Sequence, residues 1–330
     1  MNKEELAQVF NKMERLHVVV VGDVMLDNYW WGDVERISPE APVPVVTLNK
    51  RESRLGGAAN VALNCKALGA KVTMASVVGN DADGQLLRKL AADAGIDSSL
   101  MVMSSQRPTT TKTRVISRGQ HMLRLDDEIT DDLYLEEEHP FIDMVLRFLQ
   151  REKPDVLLFE DYNKGVLKQN VIDRITAHCK EIGIVTAVDP KKKNFLSYKD
   201  VAIFKPNLKE VREALNIPLE SVTLQELDMV HNQLKNTLQH SVTFITLSEK
   251  GVYFNDGAAS AIFPTHVRNI ADVSGAGDTV IATAAMVYAI TKDAALMAEI
   301  SNIAGGLVCE EVGVVPVNKE LLQQESMQLL

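Results

Sequence analysis

The sequence predicts an α/β fold with a central, mainly parallel sheet, helices on both faces and a small β lid. Three observations carry this. Short β-branched runs at 18–21, 72–78, 156–159, 184–188, 201–204 and 242–247 have the composition of buried strands, bounded by turn-forming residues. Helix-length stretches with apolar residues three and four apart, at 60–68, 85–94, 140–150 and 171–182, lie between them. Strands alternating with helices imply a parallel sheet covered on both sides. Two segments break the alternation. Residues 29–52 hold Pro39, Pro42 and Pro44 and a strand-like 43–48, and residues 108–125 alternate Thr, Lys, Arg and Val around Gly119. Both read as antiparallel excursions that together form the lid, attached to one domain spanning 1–330.

Composition narrows the function. The 45 acids and 35 bases give a net charge of −10, which repels nucleic-acid backbones and anionic lipid. The start, Met1 to Glu5, carries acids where a signal peptide has bases, and no 18-residue apolar run occurs. These features predict a cytoplasmic protein without nucleic-acid or membrane partners. Cys65, Cys179 and Cys309 are too far apart for a metal motif and odd in number, so they read as small buried hydrophobes.

In an α/β sheet, ligands sit beyond the carboxyl ends of the strands, so the polar residues there are the ones to question. Asp272 to Thr279 reads Asp-Val-Ser-Gly-Ala-Gly-Asp-Thr and opens an apolar helical stretch. Gly275, Ala276 and Gly277 leave backbone amides free at a helix start, which attracts an anion. Asp278 among them would repel a phosphate, so it needs another task; taking a proton from an attacking hydroxyl is one, and capping the helix is the plain structural alternative. Gly56 and Gly57 precede Asn60 at a second helix start, where Asn60 offers a donor and an acceptor to a sugar. Asp23 and Asp27 follow the first strand and supply two carboxylates suited to adjacent hydroxyls.

The 56–60 and 272–279 segments resemble the two signature motifs of the PfkB, ribokinase-like, carbohydrate kinase family. Lys205-Pro206-Asn207-Leu208-Lys209-Glu210 is similar to that family's Asn-x-x-Glu element, and the resemblance covers nearly the whole chain. The runs Gly22 to Asp27, Arg36 to Val46 and Asp161 to Gly165, with Asp189-Pro190-Lys191, are similar to the heptose-phosphate branch of the family, the kinase portion of the bifunctional lipopolysaccharide heptose enzymes. The resemblance implies ATP-dependent phosphorylation of D-glycero-D-manno-heptose 7-phosphate at its 1-hydroxyl. Asp278 would be the base and Gly275 to Gly277 the anion hole. Asn207, Leu208, Lys209 and Glu210 would sit at the ATP phosphates, with Glu210 acting through water on Mg²⁺. Asp189 and Lys191 would join them, Thr246, Ser248 and Gly251 would form the nucleotide loop, and Asn302 would approach the adenine. Asp272 would lie near a monovalent cation such as K⁺. Asp23, Asp27, Gly56, Gly57, Asn60, Glu160, Asp161 and Lys164 would surround the sugar. Two departures stand out: Lys192-Lys193 follows Lys191 where Gly and a small polar residue are expected, and Glu160 stands where the most similar relatives have Ser.

Charge supports an anionic sugar independently. Arg107, Lys112, Arg114, Arg118 and Arg124 fall in 107–125 with no acid among them. Lys112, Arg114 and Arg118 share strand parity and would face one way on a strand; a solvated, charge-protected edge is the alternative. A generic sugar kinase is the second functional reading and a silent sugar or nucleotide sensor the third. An exposed lid also predicts a homodimer through paired lids.

Overall fold

The structure, a computed structural model, describes residues 2–217, 219 and 222–330; Met1, part of the acidic start, lies outside the described residues. The chain begins with α1 (Lys3–Met13), β1 (His17–Gly22), β2 (Val24–Ile37), β3 (Pro44–Gly57), α2 (Ala58–Ala67), β4 (Lys71–Gly79), α3 (Ala82–Asp93) and β5 (Asp97–Ser104). It continues through β6 (Thr111–Ser117), β7 (Gln120–Asp127), α4 (Leu135–Glu152), β8 (Val156–Glu160), α5 (Gln169–Ile182), β9 (Val185–Asp189) and β10 (Ile203–Phe204). Last come α6 (Leu208–Leu215), α7 (Leu224–Leu238), β11 (Val242–Thr246), β12 (Val252–Asn255), β13 (Ser260–Phe263), α8 (Ala276–Thr291), α9 (Ala294–Val308) and α10 (Lys319–Leu329).

Nine strands form the central sheet in the order β13-β12-β11-β10-β9-β8-β1-β4-β5. Pairing is parallel from β11 to β5; the β11–β12 and β12–β13 pairs are antiparallel, so β12 alone runs against the other strands of this sheet. Alternation along β1 shows how the sheet divides the core. Val18 and Val20 join a cluster with α1, α2, α8 and α9, whereas Val19 and Val21 join one with α4, α5 and α7. This double burial explains the unbroken Val run of β1. In α1, Leu6, Val9, Phe10 and Met13 form the buried stripe, started by a capping box between Asn2 and Glu5. All three cysteines are free and buried. Among the described residues no helix is long and apolar enough to cross a membrane.

The two excursions form a separate four-stranded sheet, β3-β2-β6-β7. It is two hairpins joined by a parallel β2–β6 pair, a pairing that antiparallel excursions alone do not predict. Its strands are longer than the sequence breaks suggested, because a single residue, Asp23, separates β1 from β2 and β3 runs directly into α2. Arg118 does not share the face of Lys112 and Arg114. β6 ends at Ser117, and Arg118 and Gly119 both take positive φ (50° and 76°) as the two-residue turn between Ser117 and Gln120. The helix expected from Pro140 starts five residues earlier, at Leu135.

Candidate active site

The N-termini of α2 and α8 meet at the carboxyl edge of the sheet. Asn60, in the first turn of α2, donates from Nδ2 to Asp278 Oδ2 at 2.6 Å, and the Tyr162 hydroxyl donates to Oδ1 at 2.9 Å. Asp278 therefore does not cap its own helix; Gly275 occupies that position with no side-chain bond. Burial, followed by the nearby Asp189 carboxylate, raises the Asp278 pKa to about 6 against the lowering effect of Asn60 and Tyr162. The group is thus a carboxylate near neutral pH whose basicity exceeds that of an exposed aspartate. Asn64, one turn beyond Asn60, accepts from Thr279 Oγ1 and the Val317 amide, which ties α2 to α8 and to the C-terminal loop.

Of the expected anion hole, Ala276 already donates to the Val273 carbonyl (3.3 Å). Gly277, in the first turn, has no intrahelical partner for its amide. A Cβ on Gly277 would lie no nearer than 3.7 Å to Asp189 Oδ2, so its surface opens toward the strand ends. Gly56 and Gly57 have a different reason to be glycine. A Cβ on Gly56 would sit 2.2 Å from Asp27 Oδ2, and Gly57 has φ of +59° with the Asp23 carbonyl 2.5 Å from where its Cβ would be. Both let the β3–α2 junction pass close to Asp23, just before β2, and Asp27, on β2.

Along the strand ends, Glu160 of β8 and Asp189 of β9 pair in register, and Lys205 follows β10. Side-chain alternation turns all three toward α8. Asp189 accepts from Lys205 Nζ (2.7 Å) and Lys191 Nζ (3.1 Å), and Lys191 also reaches Glu210 Oε1 at 2.8 Å. These lysines hold the Asp189 carboxyl low against its burial. Asn207 and Glu210 form a capping box at the start of α6: Asn207 Oδ1 accepts from the Glu210 amide and Glu210 Oε2 from the Asn207 amide. The Asn-x-x-Glu spacing thus has a local folding role whatever it binds. Thr246 bridges Asn207 in parallel, so the β11 end lies beside this corner. Ser248, with φ of 57°, is exposed; Gly251 has φ of +97° with the Phe263 carbonyl 1.9 Å from where a Cβ would stand. Asn302 donates to the Pro264 carbonyl at 2.8 Å.

Several expected ligands take other positions. Asp23 is buried with its oxygens accepting the amides of Tyr162, Lys164 and Val166 (2.9–3.0 Å), so it anchors the 161–166 loop, and the geometry does not favour it as a sugar ligand. Asp161, also buried, accepts from the Asn163 amide, Asn194 Nδ2 and Tyr198 OH. It too is a loop anchor; burial, with Asp23 adding to it, raises its pKa to about 6. The Lys209 side chain is 83% exposed and, among the described residues, pairs with Glu213, while Leu208 packs into the core. Asp272 accepts the amides of Ser274 and Gly313. Among the described residues no group of three or more His, Cys, Asp or Glu could hold a metal.

On the small sheet, Arg114 Nη1 lies 2.5 Å from Asp27 Oδ1. Lys112 and Lys164 share Glu128, at 3.0 and 2.6 Å, and Lys112 also reaches Asp126, as does the exposed Arg124. Asp23, Arg107, Thr110 and Lys164 line a crevice between this sheet and the main one. Tyr162, Lys205 and Glu128 were not singled out from the sequence. Tyr162 and Lys205 lie inside the 161–165 and 205–210 runs, and a lysine directly after a buried strand was the available signal for Lys205.

Residues 15–320 match the pfkB family carbohydrate kinases. The chain is 41% identical over 310 residues to the bifunctional protein HldE of Methylobacillus flagellatus, covering 93% of this chain and 62% of the relative, so it spans less than two thirds of that protein. It is 38% identical over 320 residues to the D-beta-D-heptose 7-phosphate kinase of Bordetella bronchiseptica, covering 96% of this chain and 97% of the relative. Among solved structures, phosphofructokinase-2 from Escherichia coli in complex with potassium superposes with a TM-score of 0.77 at 16% identity, covering 95% of this chain and 98% of the other. Ribokinase from Arabidopsis thaliana complexed with ribose and ATP gives 0.71 at 16%, covering 94% and 99%; both show the shared fold. The buried aspartate at a glycine-lined helix start and the match over most of the length agree: this chain belongs to the pfkB family of carbohydrate kinases.

Proposed function

We propose that the protein transfers the terminal phosphoryl group of ATP to the 1-hydroxyl of D-glycero-D-manno-heptose 7-phosphate, giving the 1,7-bisphosphate, a precursor step toward the lipopolysaccharide core. The observation that carries the transfer chemistry is Asp278, a buried carboxylate held by Asn60 and Tyr162 beside the open surface of Gly277. As the sugar oxygen bonds to phosphorus and ADP leaves, Asp278 takes the hydroxyl proton. The names of the relatives at 41% and 38% identity support the heptose substrate.

The residues present fit a nucleotide. The first-turn amides of α8 offer a seat for a phosphate, with Lys205 and Lys191 close to it through Asp189. Glu210 would act through water on Mg²⁺, which when bound draws charge from the phosphate oxygens. Thr246, Ser248, Gly251 and Asn302 remain the proposed nucleotide edge. The Asp272 loop is the proposed seat of a monovalent cation such as K⁺.

For the acceptor, Asp27, Asn60, Arg114, Lys112 and Lys164 are the proposed contacts, and the substrate phosphate would compete with Glu128 and Asp126 for the bases. The small sheet is the proposed lid. Leu123 and Leu125, exposed on its edge strand β7, are the proposed faces for pairing with the lid of a second copy in a homodimer. The enzyme would act in the cytoplasm, where ATP is supplied. A panel of sugars and sugar phosphates assayed for ATP consumption, with the product phosphate located by ³¹P NMR, tests this reading. Phosphorylation of another sugar in preference would replace the substrate and leave Asp278 in place.

A further inference from the structure

Glu160 is the one site-edge carboxyl whose environment the transfer chemistry leaves unexplained. It ends β8 with its side chain fully buried, and neither carboxylate oxygen has a hydrogen-bond partner among the described residues. Its neighbours are unusual for an acid. Gly22 flanks it on β1 and contributes no charge, while Asp189 flanks it on β9. Asp278 approaches from α8, and Lys191 and Lys205 act on it from beyond Asp189. Both lysines are already bonded to Asp189, and Lys191 to Glu210 as well. Asn60 and Tyr162 are committed to Asp278.

The charges already present are Asp189, Asp278 and Glu210 against Lys191 and Lys205. An ionised Glu160 would add a further negative charge in a dry place with no donor to receive it, and an unpaired buried carboxylate is among the costliest groups to maintain. We propose that Glu160 is a neutral carboxylic acid in the resting enzyme and is a positioning residue for Asp278, filling the floor beneath the base without adding charge to it. Burial first, then Asp189 and Asp278, push its pKa well above the ordinary range in agreement with this. Ionisation of Glu160 at alkaline pH would set Asp278 and the ATP phosphates against a second negative charge, and transfer would slow. The inference rests on Asp278 as the base and not on which sugar is the acceptor.

The test compares the wild type with Glu160→Gln, which keeps the shape and cannot ionise. An infrared difference spectrum at pH 8, taken without substrate, should show a protonated-carboxyl C=O band in the wild type that is missing in the variant. A raised carboxyl binds a proton on folding, so it removes stability as pH rises from the ordinary glutamate value toward its own raised one. The variant's advantage in Tm should therefore widen from pH 5 to pH 8. With any accepted sugar, the variant is read by its pH profile of kcat/KM against that of the wild type, and not by its rate at one pH. Its acid midpoint of kcat/KM should be unchanged, and it should lack the alkaline fall. Absence of the carboxyl band, or an acid midpoint that drops in the variant because a charge has been removed, overturns the neutral state. An alkaline profile identical in the two proteins overturns the positioning role. The spectroscopic and thermal arms need no sugar, so their failure is separate from any failure of the heptose reading.

Discussion

The floor where α2 meets α8 and the four-stranded sheet rooted beside it both hold polar groups, and they handle charge in opposite ways. In the floor, Asp278 is held by neutral donors, Asn60 and Tyr162, on helix starts made of glycine and alanine. At the small sheet, Arg114 pairs with Asp27, while Lys112, Lys164 and Arg124 share Glu128 and Asp126. The floor is dry and fixed by α2–α8 ties such as Thr279 to Asn64, so a charge there keeps its strength. In the sheet, the Lys164, Lys112 and Arg114 side chains are 13–19% exposed and Arg124 is 58% exposed, so a substrate phosphate would reach these bases in exchange for their carboxylates. Under the proposed function, the reaction would belong to the floor and the choice of an anionic substrate to the sheet.

Replacing the base should break the floor most severely. Asp278→Asn keeps the shape and removes basicity, so turnover should fall about 10²-fold or more with sugar and ATP binding within a few-fold. Near-normal turnover would make Asp278 a packing residue. Tyr162→Phe removes one donor from the carboxylate, so turnover should fall by about 10-fold and the acid midpoint should move upward from about 6, because that bond lowers the Asp278 pKa. A midpoint that stays put would detach Tyr162 from the base. Glu210→Gln should raise the Mg²⁺ needed for half-maximal rate about 3-fold at saturating sugar, since a carboxylate contact to the hydrated ion is lost. An unchanged Mg²⁺ titration would leave Glu210 as a helix cap alone. In the sheet, neutralising Lys112, Arg114 or Lys164 singly should reduce the preference for a phosphorylated sugar by about 3-fold each, because each base starts out shared with a carboxylate. The preference should also fall with added salt, and effects confined to Arg118 or Arg124 would move the anion contact to the sheet's outer edge.

Much of this was legible in the sequence, and the rest was hidden for identifiable reasons. The strand–helix alternation and the Gly-Ala-Gly-Asp start of α8 follow from local composition, so both could be read directly. Asp23 and Asp161 could not be assigned, because an aspartate after a strand looks the same whether it takes sugar hydroxyls or the amides of a loop 139 residues away, as Asp23 does with Tyr162. Arg118 was misplaced because strand parity was carried one residue into a turn whose positive φ ends the alternation. Lys209 was readable in principle: α6 buries Val211 and packs Leu208, so helical spacing turns position 209 to solvent. The Lys205–Asp189–Lys191–Glu210 chain needs the register of neighbouring parallel strands, which no single segment contains.

The division between floor and sheet is tested most directly by the ratio of kcat/KM for heptose 7-phosphate to that for free heptose in the wild-type enzyme at fixed ATP and Mg²⁺. One or two charge-assisted contacts to the substrate phosphate contribute about 1.5–3 kcal/mol each, so the ratio should be at least about 10. It should shrink in the Lys112, Arg114 and Lys164 variants while turnover on free heptose stays unchanged. Equal use of the two sugars by the wild type would contradict the assignment of substrate choice to the small sheet and, with it, the heptose 7-phosphate reading.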